Sequence, residues 1–228
     1  MILKKIIRGG LSYREILGLQ CQEFEKRVDC RKRNHPLPED IIFFVEHKPV
    51  YTLGRHGHLS NLLLDADSLS KKGIEFVEID RGGDITYHGP GQLTVYPVID
   101  MQRYGLGVKD YVGLLEESVI RTIASYGISG ERIDGKTGVW IGKGTYRERK
   151  ISAIGVRCSR FVTMHGMALN VGSDMAAFSG IVPCGLPQGV TSVSLECGRE
   201  VDLSEVIERM WDELTGLLLP RIPARGNS

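Results

Sequence analysis

Apolar residues recur along this chain with two periods, one typical of helices and one typical of strands. In the first helical stretch, Ser12 is the expected N-cap and Glu15, three residues later, completes a capping box. Gly73 follows the stretch that ends at residue 72, and Gly127 follows the one that ends at residue 126, as expected for glycines that cap helix C-termini. The helical period predicts helices over 12–31, 65–72, 108–126 and 203–218.

Apolar and β-branched runs bounded by turn residues predict the strands. They also predict a polar hairpin turn over 142–149, between two strands in the second half of the chain. Strands grouped in the middle of a chain with helices around them favour one α+β domain, which we expect to span 1–228. The predicted strands cover 41–46, 50–53, 76–80, 93–99, 138–141, 150–156, 161–163 and 165–171.

The segment 81–92 combines five Gly or Pro residues with Ile85, Thr86 and Tyr87 at its centre. Glycines let a backbone approach another molecule closely, while β-branched and aromatic residues favour a half-buried strand. No helix begins after Gly91, so the segment lacks the helix N-terminus of a phosphate-binding loop. We therefore expect 81–88 to be a strand that forms one wall of a ligand pocket.

Composition narrows the possible classes of function. The chain has 228 residues, 42% hydrophobic residues and a formal net charge of +1, which are ordinary values for a globular protein and give no basic field for nucleic acid. The apolar runs are too short to span a bilayer, and the N-terminus indicates a first strand rather than a signal peptide. We expect a cytoplasmic monomer that binds neither nucleic acid nor membrane.

Five cysteines without a CxxC pair argue against a disulfide framework and against a structural zinc site. Cys184 differs from the other four because Pro183 precedes it and Gly185 follows it. A thiol in such a rigid turn, with backbone N–H groups nearby, suits a nucleophile. A buried cysteine in an ordinary turn is an equally good interpretation of this motif alone.

Lys150 begins a strand whose later residues include Ala153 and Gly155. A solvated strand end is the commoner situation for such a lysine, but a lysine beside a thiol would lower the pKa of that thiol. His88 and His165, each followed by glycine, are candidates for proton transfer or, more commonly, for pocket-wall residues. Sequence spacing alone does not pair Lys150 with Cys184.

Four motifs occur in one order along the chain: 81–92, 150–155 (KISAIG), 165–170 (HGMALN) and 181–185 (IVPCG). Together they resemble lipoyl(octanoyl) transferases, the lipoate-biosynthesis acyltransferases related to biotin and lipoate protein ligases. The similarity covers roughly 46–193. It implies the ligase-like catalytic-domain fold, an α+β domain with a mixed, largely antiparallel sheet flanked by helices.

The resemblance also implies a mechanism. Cys184 would take the octanoyl group as a thioester from octanoyl-acyl carrier protein, and a lysine of a lipoyl domain would then receive it as an amide. Lys150 would lower the pKa of Cys184. Neither ATP nor a metal or other cofactor is needed. The substrate contacts implied by the family pattern are Arg81, Gly82, Gly83, Asp84, Ile85, Thr86, Tyr87, His88, Ala153, Ile154, Gly155, Gly166, Met167 and Ala168.

The implied acceptors are the lipoyl domains of 2-oxoacid dehydrogenase E2 subunits and the glycine cleavage H protein. The sequence departs from a compact family member at 145–149, which extends the hairpin before Lys150. We expect either a solvated hairpin or a basic patch for an acidic carrier protein. The arginines of that patch would be Arg147, Arg149, Arg157 and Arg160.

Two other functions stay open. The main alternative is an ATP-dependent lipoate or biotin protein ligase, which keeps the lysine but needs no thiol. The second is a scaffold that binds a carrier domain without catalysis, which would leave Lys150 and Cys184 without a purpose.

Overall fold

A computed structural model describes residues 3–182 and 189–222 of the chain. Most of its helices begin at a residue whose side chain accepts a hydrogen bond from a backbone amide of the first turn. The first, α1, follows Ser12, whose hydroxyl accepts from the Glu15 amide while the Glu15 carboxylate accepts from the Ser12 amide, so the predicted capping box is confirmed. The helices are α1 (Tyr13–Lys32), α2 (Ala66–Lys72), α3 (Val108–Ala124), α4 (Val193–Cys197) and α5 (Leu203–Leu218).

The larger sheet places its strands in the order β1-β2-β6-β10-β9-β8-β7, with the short β11 paired to β9. The β1–β2 and β9–β11 pairs are parallel and the other pairs are antiparallel. Its strands are β1 (Leu3–Leu11), β2 (Asp40–His47), β6 (Gln92–Val98), β7 (Glu131–Ile133), β8 (Lys136–Ile141), β9 (Arg149–Ser159), β10 (Val162–Asn170) and β11 (Gly189–Val190).

A smaller sheet of three strands, in the order β4-β3-β5, lies apart from the larger one. Tyr51 and Tyr87, which are opposite each other on neighbouring strands, pack with Phe178 in the apolar cluster that supports this sheet. The strands are β3 (Val50–Leu53), β4 (Glu75–Glu78) and β5 (Ile85–His88). The strand β5 is one wall of the site described below.

The two faces of the larger sheet are covered differently. Alternate residues of its strands, such as Leu93, Met167 and Leu169, join the side chains of α3 and α5 in the largest apolar core. The other face packs against α1 through residues such as Phe43 and Met164. The helix α1 covers this face only in part. The predicted α+β fold with a mixed sheet flanked by helices is therefore confirmed.

Three sequence-based boundaries were wrong, each for a local reason. The helix α3 ends at Ala124 with Ser125 as its C-cap, and Gly127 takes its left-handed conformation two residues later. The predicted strands 161–163 and 165–171 form the single strand β10, because His165 continues the ladder despite a φ of 58°. The segment 81–84 is a bent loop, and β5 begins only at Ile85.

Three further observations concern helix hydrophobicity, the cysteines and the predicted hairpin turn. Within the described residues no helix is long and apolar enough to cross a membrane. Cys21, Cys30, Cys158 and Cys197 are free thiols. The predicted hairpin turn follows β8, and its Tyr146 is 91% exposed.

Candidate active site

A cavity of about 390 Å³ lies on the face of the larger sheet that α1 covers in part. Its walls are β9 and β10 on one side and β5 with the bent loop 81–84 on the other. This volume falls within the range of cavities that bind small ligands, about 300–1,000 Å³. The lining residues are Tyr13, Arg81, Gly83, Asp84, Ile85, Thr86, His88, Gln92, Tyr96, Gly135, Lys136, Thr137, Lys150, Ala153, Ile154, Gly155, His165, Gly166, Met167, Ala168, Asn170, Phe178 and Val190.

Small residues on β9 and β10 create this space. Ala153 pairs with Ala168 across the two strands, and Gly155 pairs with Gly166. A Cβ at Gly155 would come within 2.6 Å of the Gly82 carbonyl oxygen. The absence of a side chain at Gly155 therefore allows the bent loop to lie directly against the sheet.

The bent loop is held by its own charged residues. The guanidinium of Arg81 is buried and donates to the carbonyl and to the hydroxyl of Thr52, at 2.8 and 2.9 Å. The Asp84 carboxylate accepts from the side chain of Asn61 at 2.6 Å and from the backbone of Ile85 at 2.7 Å. The amide of Gly82 donates to the Val156 carbonyl of β9 at 3.0 Å. These bonds fix the loop as a wall.

Of the fourteen substrate-contact residues expected from the family pattern, twelve line the cavity and two do not. The side chain of Tyr87 packs against Tyr51 and Phe178 on the opposite face of β5 and does not line the cavity. Gly82 lies behind the wall, where its amide is bonded to β9. The alternation of side chains along β5 explains the position of Tyr87.

Lys150 reaches the cavity because β9 contains a bulge. Val139 pairs with Ser152 but Trp140 pairs with Lys150, so Ile151 is the extra residue on β9. Regular alternation would place Lys150 on the same face as Ser152 and Ile154, whereas the bulge turns it toward the face of Ala153. The Lys150 ammonium donates to the Thr137 carbonyl at 3.3 Å and lies 4.6 Å from the centre of the Trp140 ring.

Cys184 lies outside the described residues, as do Pro183 and Gly185. Before this segment, Ile181 forms a β-bridge with Leu62. After it, Gly189 pairs with Arg149, and the Thr191 amide donates to the Lys150 carbonyl at 3.0 Å. The described chain therefore resumes beside Lys150 five residues after Cys184.

A buried chain of polar side chains connects the cavity wall to this resuming segment. His88 Nδ1 lies 2.7 Å from the Gln92 Oε1, the Gln92 amide donates to Asn170 at 2.9 Å, and the Asn170 amide donates to the Thr191 carbonyl at 2.9 Å. Burial lowers the pKa of His88 well below its usual value, with a smaller contribution from the neighbouring His47. His88 is therefore neutral at physiological pH, and its bond to Gln92 is between uncharged groups.

His165 is oriented by a carboxylate at the other end of the cavity. Its Nε2 lies 3.0 Å from Asp80, and its left-handed φ of 58° is a conformation that histidine tolerates better than most residues. Burial lowers the pKa of His165, and this effect outweighs the nearby Asp80 carboxylate, which raises it. The hydrogen bond from His165 lowers the pKa of Asp80. A neutral imidazole therefore donates to an ionised carboxylate.

Several residues that line the cavity were not predicted from the sequence. Tyr13 begins α1 and Tyr96 belongs to β6, and both are buried against the site from elements far apart in the sequence. Gln92 and Asn170 are the last residues of the motifs 81–92 and 165–170. Their polar side chains at inward-facing strand positions could have indicated a buried polar site.

The expected basic patch is not formed by the four arginines together. Arg147 and Arg149 are at the start of β9, while Arg157 and Arg160 are at its far end, about 25 Å away for eight strand residues. Arg149 forms a salt bridge with Glu196, and Arg157 with Asp80 at 2.5 Å. The charge of these two arginines is therefore balanced within the protein.

Similar proteins identify the family. The sequence profile of the family described as lipoyl protein ligase A/B catalytic domain matches residues 20–215. An octanoyltransferase of Bacteroides fragilis is 50% identical over 212 residues, 92% of this chain and 96% of the relative. An octanoyltransferase of Flavobacterium johnsoniae is 47% identical over 216 residues, 92% of this chain and 93% of the relative.

Solved structures agree on the fold. The chain matches a bipartite lipoate protein ligase of Thermoplasma acidophilum with a TM-score of 0.69 at 17% identity, covering 96% of this chain and 84% of that one. It matches P. falciparum LipL1 in complex with lipoate with a TM-score of 0.72 at 10% identity, covering 97% and 64%. With its fold, its profile match and its identity to these relatives all in agreement, the chain belongs to the lipoyl protein ligase A/B catalytic domain family.

Proposed function

We propose that this protein, an octanoyltransferase, transfers the octanoyl group to a lysine of a lipoyl domain through an acyl-thioester on Cys184. The main support for this activity is the sequence identity of about 50% to proteins named octanoyltransferase, over more than nine-tenths of both chains. Octanoyl transfer of this kind belongs to lipoate biosynthesis. The thioester route is supported by the position of Lys150 and by the shape of the cavity.

The reaction has two steps. The Cys184 thiolate attacks the carbonyl carbon of the octanoyl thioester carried by acyl carrier protein, a new C–S bond forms, and the bond to the carrier sulfur breaks to release its thiol. The ε-amine of the acceptor lysine then attacks the enzyme thioester, forming a C–N bond while the Cys184 sulfur leaves. Each step exchanges one acyl bond for another, so no ATP is required.

Lys150 would make Cys184 reactive. A free thiol has a pKa of about 8.5, and a neighbouring ammonium lowers that pKa because it stabilises the thiolate. In support of this role, Lys150 is turned toward the cavity by the bulge at Ile151. The chain after Cys184 is also bonded to the Lys150 backbone through Thr191.

The hollow face of β9 and β10 would hold the acyl chain. Ala153, Gly155, Gly166 and Ala168 leave space on this face. Each CH₂ group buried there contributes about 0.8 kcal/mol. Arg81, Gly83, Asp84, Ile85, Thr86 and His88 would form the opposite wall.

The partners we propose are octanoyl-acyl carrier protein as donor and, as acceptors, lipoyl domains of 2-oxoacid dehydrogenase E2 subunits and the glycine cleavage H protein. Their support is the lipoylation chemistry of the family. A monomer in the cytoplasm stays a prediction from the sequence.

An ATP-free acylation experiment tests the proposal. The protein is incubated with octanoyl-acyl carrier protein without nucleotide, and the intact mass is measured before and after adding a lipoyl domain. We expect an octanoyl adduct that disappears when the acceptor is added. Cys184→Ala should abolish the adduct, whereas the control Cys158→Ala, which removes a free thiol of β9, should retain it.

Two results would overturn the proposal. Transfer that persists in Cys184→Ala would exclude the enzyme thioester. Transfer that requires ATP would favour a ligase, the activity of the proteins whose fold this chain shares.

A further inference from the structure

The indole ring of Trp140 forms a platform beneath the Lys150 ammonium. The Lys150 Nζ lies 4.6 Å from the ring centre, within the distance at which a cation is attracted by an aromatic face. Trp140 is only 1% exposed, and its indole N–H donates to the Lys136 carbonyl at 2.9 Å. Burial and this hydrogen bond fix the orientation of the ring.

Two backbone features bring the ammonium onto the ring. The bulge at Ile151 makes Trp140 and Lys150 direct cross-strand partners, whose side chains share one face. Gly138 has a φ of 120°, and a Cβ there would lie 2.4 Å from the Ser152 carbonyl oxygen and 3.5 Å from the Lys150 Cε. A side chain at Gly138 would therefore clash with the β9 backbone at Ser152, two residues after Lys150.

Several charged side chains near the Trp140 ring have hydrogen-bond or ion-pair partners. Lys136 also lies over the Trp140 ring, at 5.4 Å, but its ammonium is 2.7 Å from the Glu148 carboxylate. The Glu116 carboxylate accepts from the Gly138 amide at 3.0 Å. Arg149, the residue before Lys150 on β9, forms a salt bridge with Glu196.

We infer that Trp140 is a positioning residue: its π face holds the Lys150 side chain in its charged form at the cavity and thereby sets the reactivity of Cys184. This inference rests on the proposed function, in which Lys150 activates the thiol.

The test compares Trp140→Phe with Trp140→Met. Both variants remove the indole N–H and reduce the volume, but only phenylalanine keeps a π face. The rate of alkylation by iodoacetamide is followed against pH at the Cys184 peptide by mass spectrometry, which separates it from the other four cysteines. Trp140→Met should shift the profile to higher pH by roughly half a unit, and Trp140→Phe by clearly less.

A double-mutant cycle shows whether the effect passes through Lys150. Lys150→Met should shift the profile further than either tryptophan variant. In the Lys150→Met background, both Trp140→Phe and Trp140→Met should cause no additional shift. If Trp140→Met fails to fold, Trp140→Phe alone tests the coupling to Lys150. It should still shift the alkylation profile slightly, because tryptophan binds a cation better than phenylalanine does.

The outcomes separate the two proposals. A shift in Lys150→Met with a wild-type profile in both tryptophan variants would overturn the role of Trp140 and leave that of Lys150 intact. Equal shifts in Trp140→Phe and Trp140→Met would show that packing, not the π face, matters, and would also overturn it. An unshifted Lys150→Met would overturn the roles of both residues.

Discussion

Strands β9 and β10 have one filled face and one hollow face. On the filled face, Leu169 and Ile154 pack into the core with α3 and α5. On the hollow face, Ala153, Gly155 and Ala168 leave the cavity open. Neighbouring residues of the same strand therefore serve different purposes, one stability and the other space for a ligand.

The hollow face also differs in polarity. Its floor continues into buried polar side chains, among them His47, His88, Tyr96 and Asn170, whereas the filled face is almost wholly apolar. Polar groups that are buried must be hydrogen-bonded, and here the bonds run toward Thr191 and the segment after Cys184. Substitutions on the filled face should therefore lower mainly the free energy of unfolding, and substitutions on the hollow face should lower mainly the activity.

The largest effect on stability is expected on the filled face. Leu169 is fully buried, so Leu169→Ala should lower the free energy of unfolding by about 3 kcal/mol, measured by urea denaturation. The control Leu195→Ala removes a leucine that is 63% exposed and should change stability by less than about 0.5 kcal/mol. A loss below about 1 kcal/mol for Leu169→Ala would show that the filled face is loosely packed.

The adjacent residue should affect activity instead. Ala168→Leu puts a branched side chain into the cavity and should remove room for about four CH₂ groups, which lowers kcat/KM for the octanoyl donor by about two orders of magnitude. A butyryl donor should be affected much less, and the urea midpoint should hardly change. The matched control is Ala124→Leu at the exposed end of α3. Equal losses for the two donors would contradict a chain-binding role for this face.

The filled face was largely predictable from the sequence and the hollow face only in part. Helical and strand periods depend on near neighbours, which is why the capping box at Ser12 and most strands were found. The small residues of the motifs also indicated a cavity. The bulge at Ile151, the approach of Tyr13 and the pairing of His165 with Asp80 depend on elements distant in sequence, and no local pattern specifies them.

The buried histidine His47, one of the polar side chains beneath the cavity, should make the stability of the protein depend on pH. Burial lowers the pKa of His47 from 6.5 to about 4, so the fold favours its neutral form. The stabilisation is complete above pH 6.5 and is lost as the pH falls toward 4, because the unfolded chain binds the proton first. When the pH is lowered from 6.5 to 4, the free energy of unfolding of His47→Gln should therefore fall by about 2 to 3 kcal/mol less than that of the wild type.

The control for this prediction is Gln22→Ala, which removes an exposed side chain without a titratable group and should leave the pH slope unchanged. Urea denaturation at a series of pH values gives the slopes. The same slope in the wild type and in His47→Gln would contradict a buried neutral imidazole at this position.

The smallest effect is expected from the polar chain. Asn170→Ala removes the side-chain donor to the Thr191 carbonyl and one of the two acceptors of the Gln92 amide, and should cost about 1 to 2 kcal/mol. Hydrogen exchange of the Thr191 amide should become faster, since its bond to Lys150 depends on this anchor. Gln22→Ala on the exposed side of α1 is the control. Unchanged protection of Thr191 would exclude the chain as an anchor.

Photo-crosslinking would show whether the hollow face holds the acyl chain that we propose Cys184 to carry. The protein is acylated with an octanoyl donor that bears a diazirine at its terminal carbon, irradiated, and mapped by peptide mass spectrometry. We expect crosslinks to the walls of the cavity, on β5, β9, β10 or the loop 81–84. Crosslinks confined to α3 or α5, on the filled side of the sheet, would contradict it.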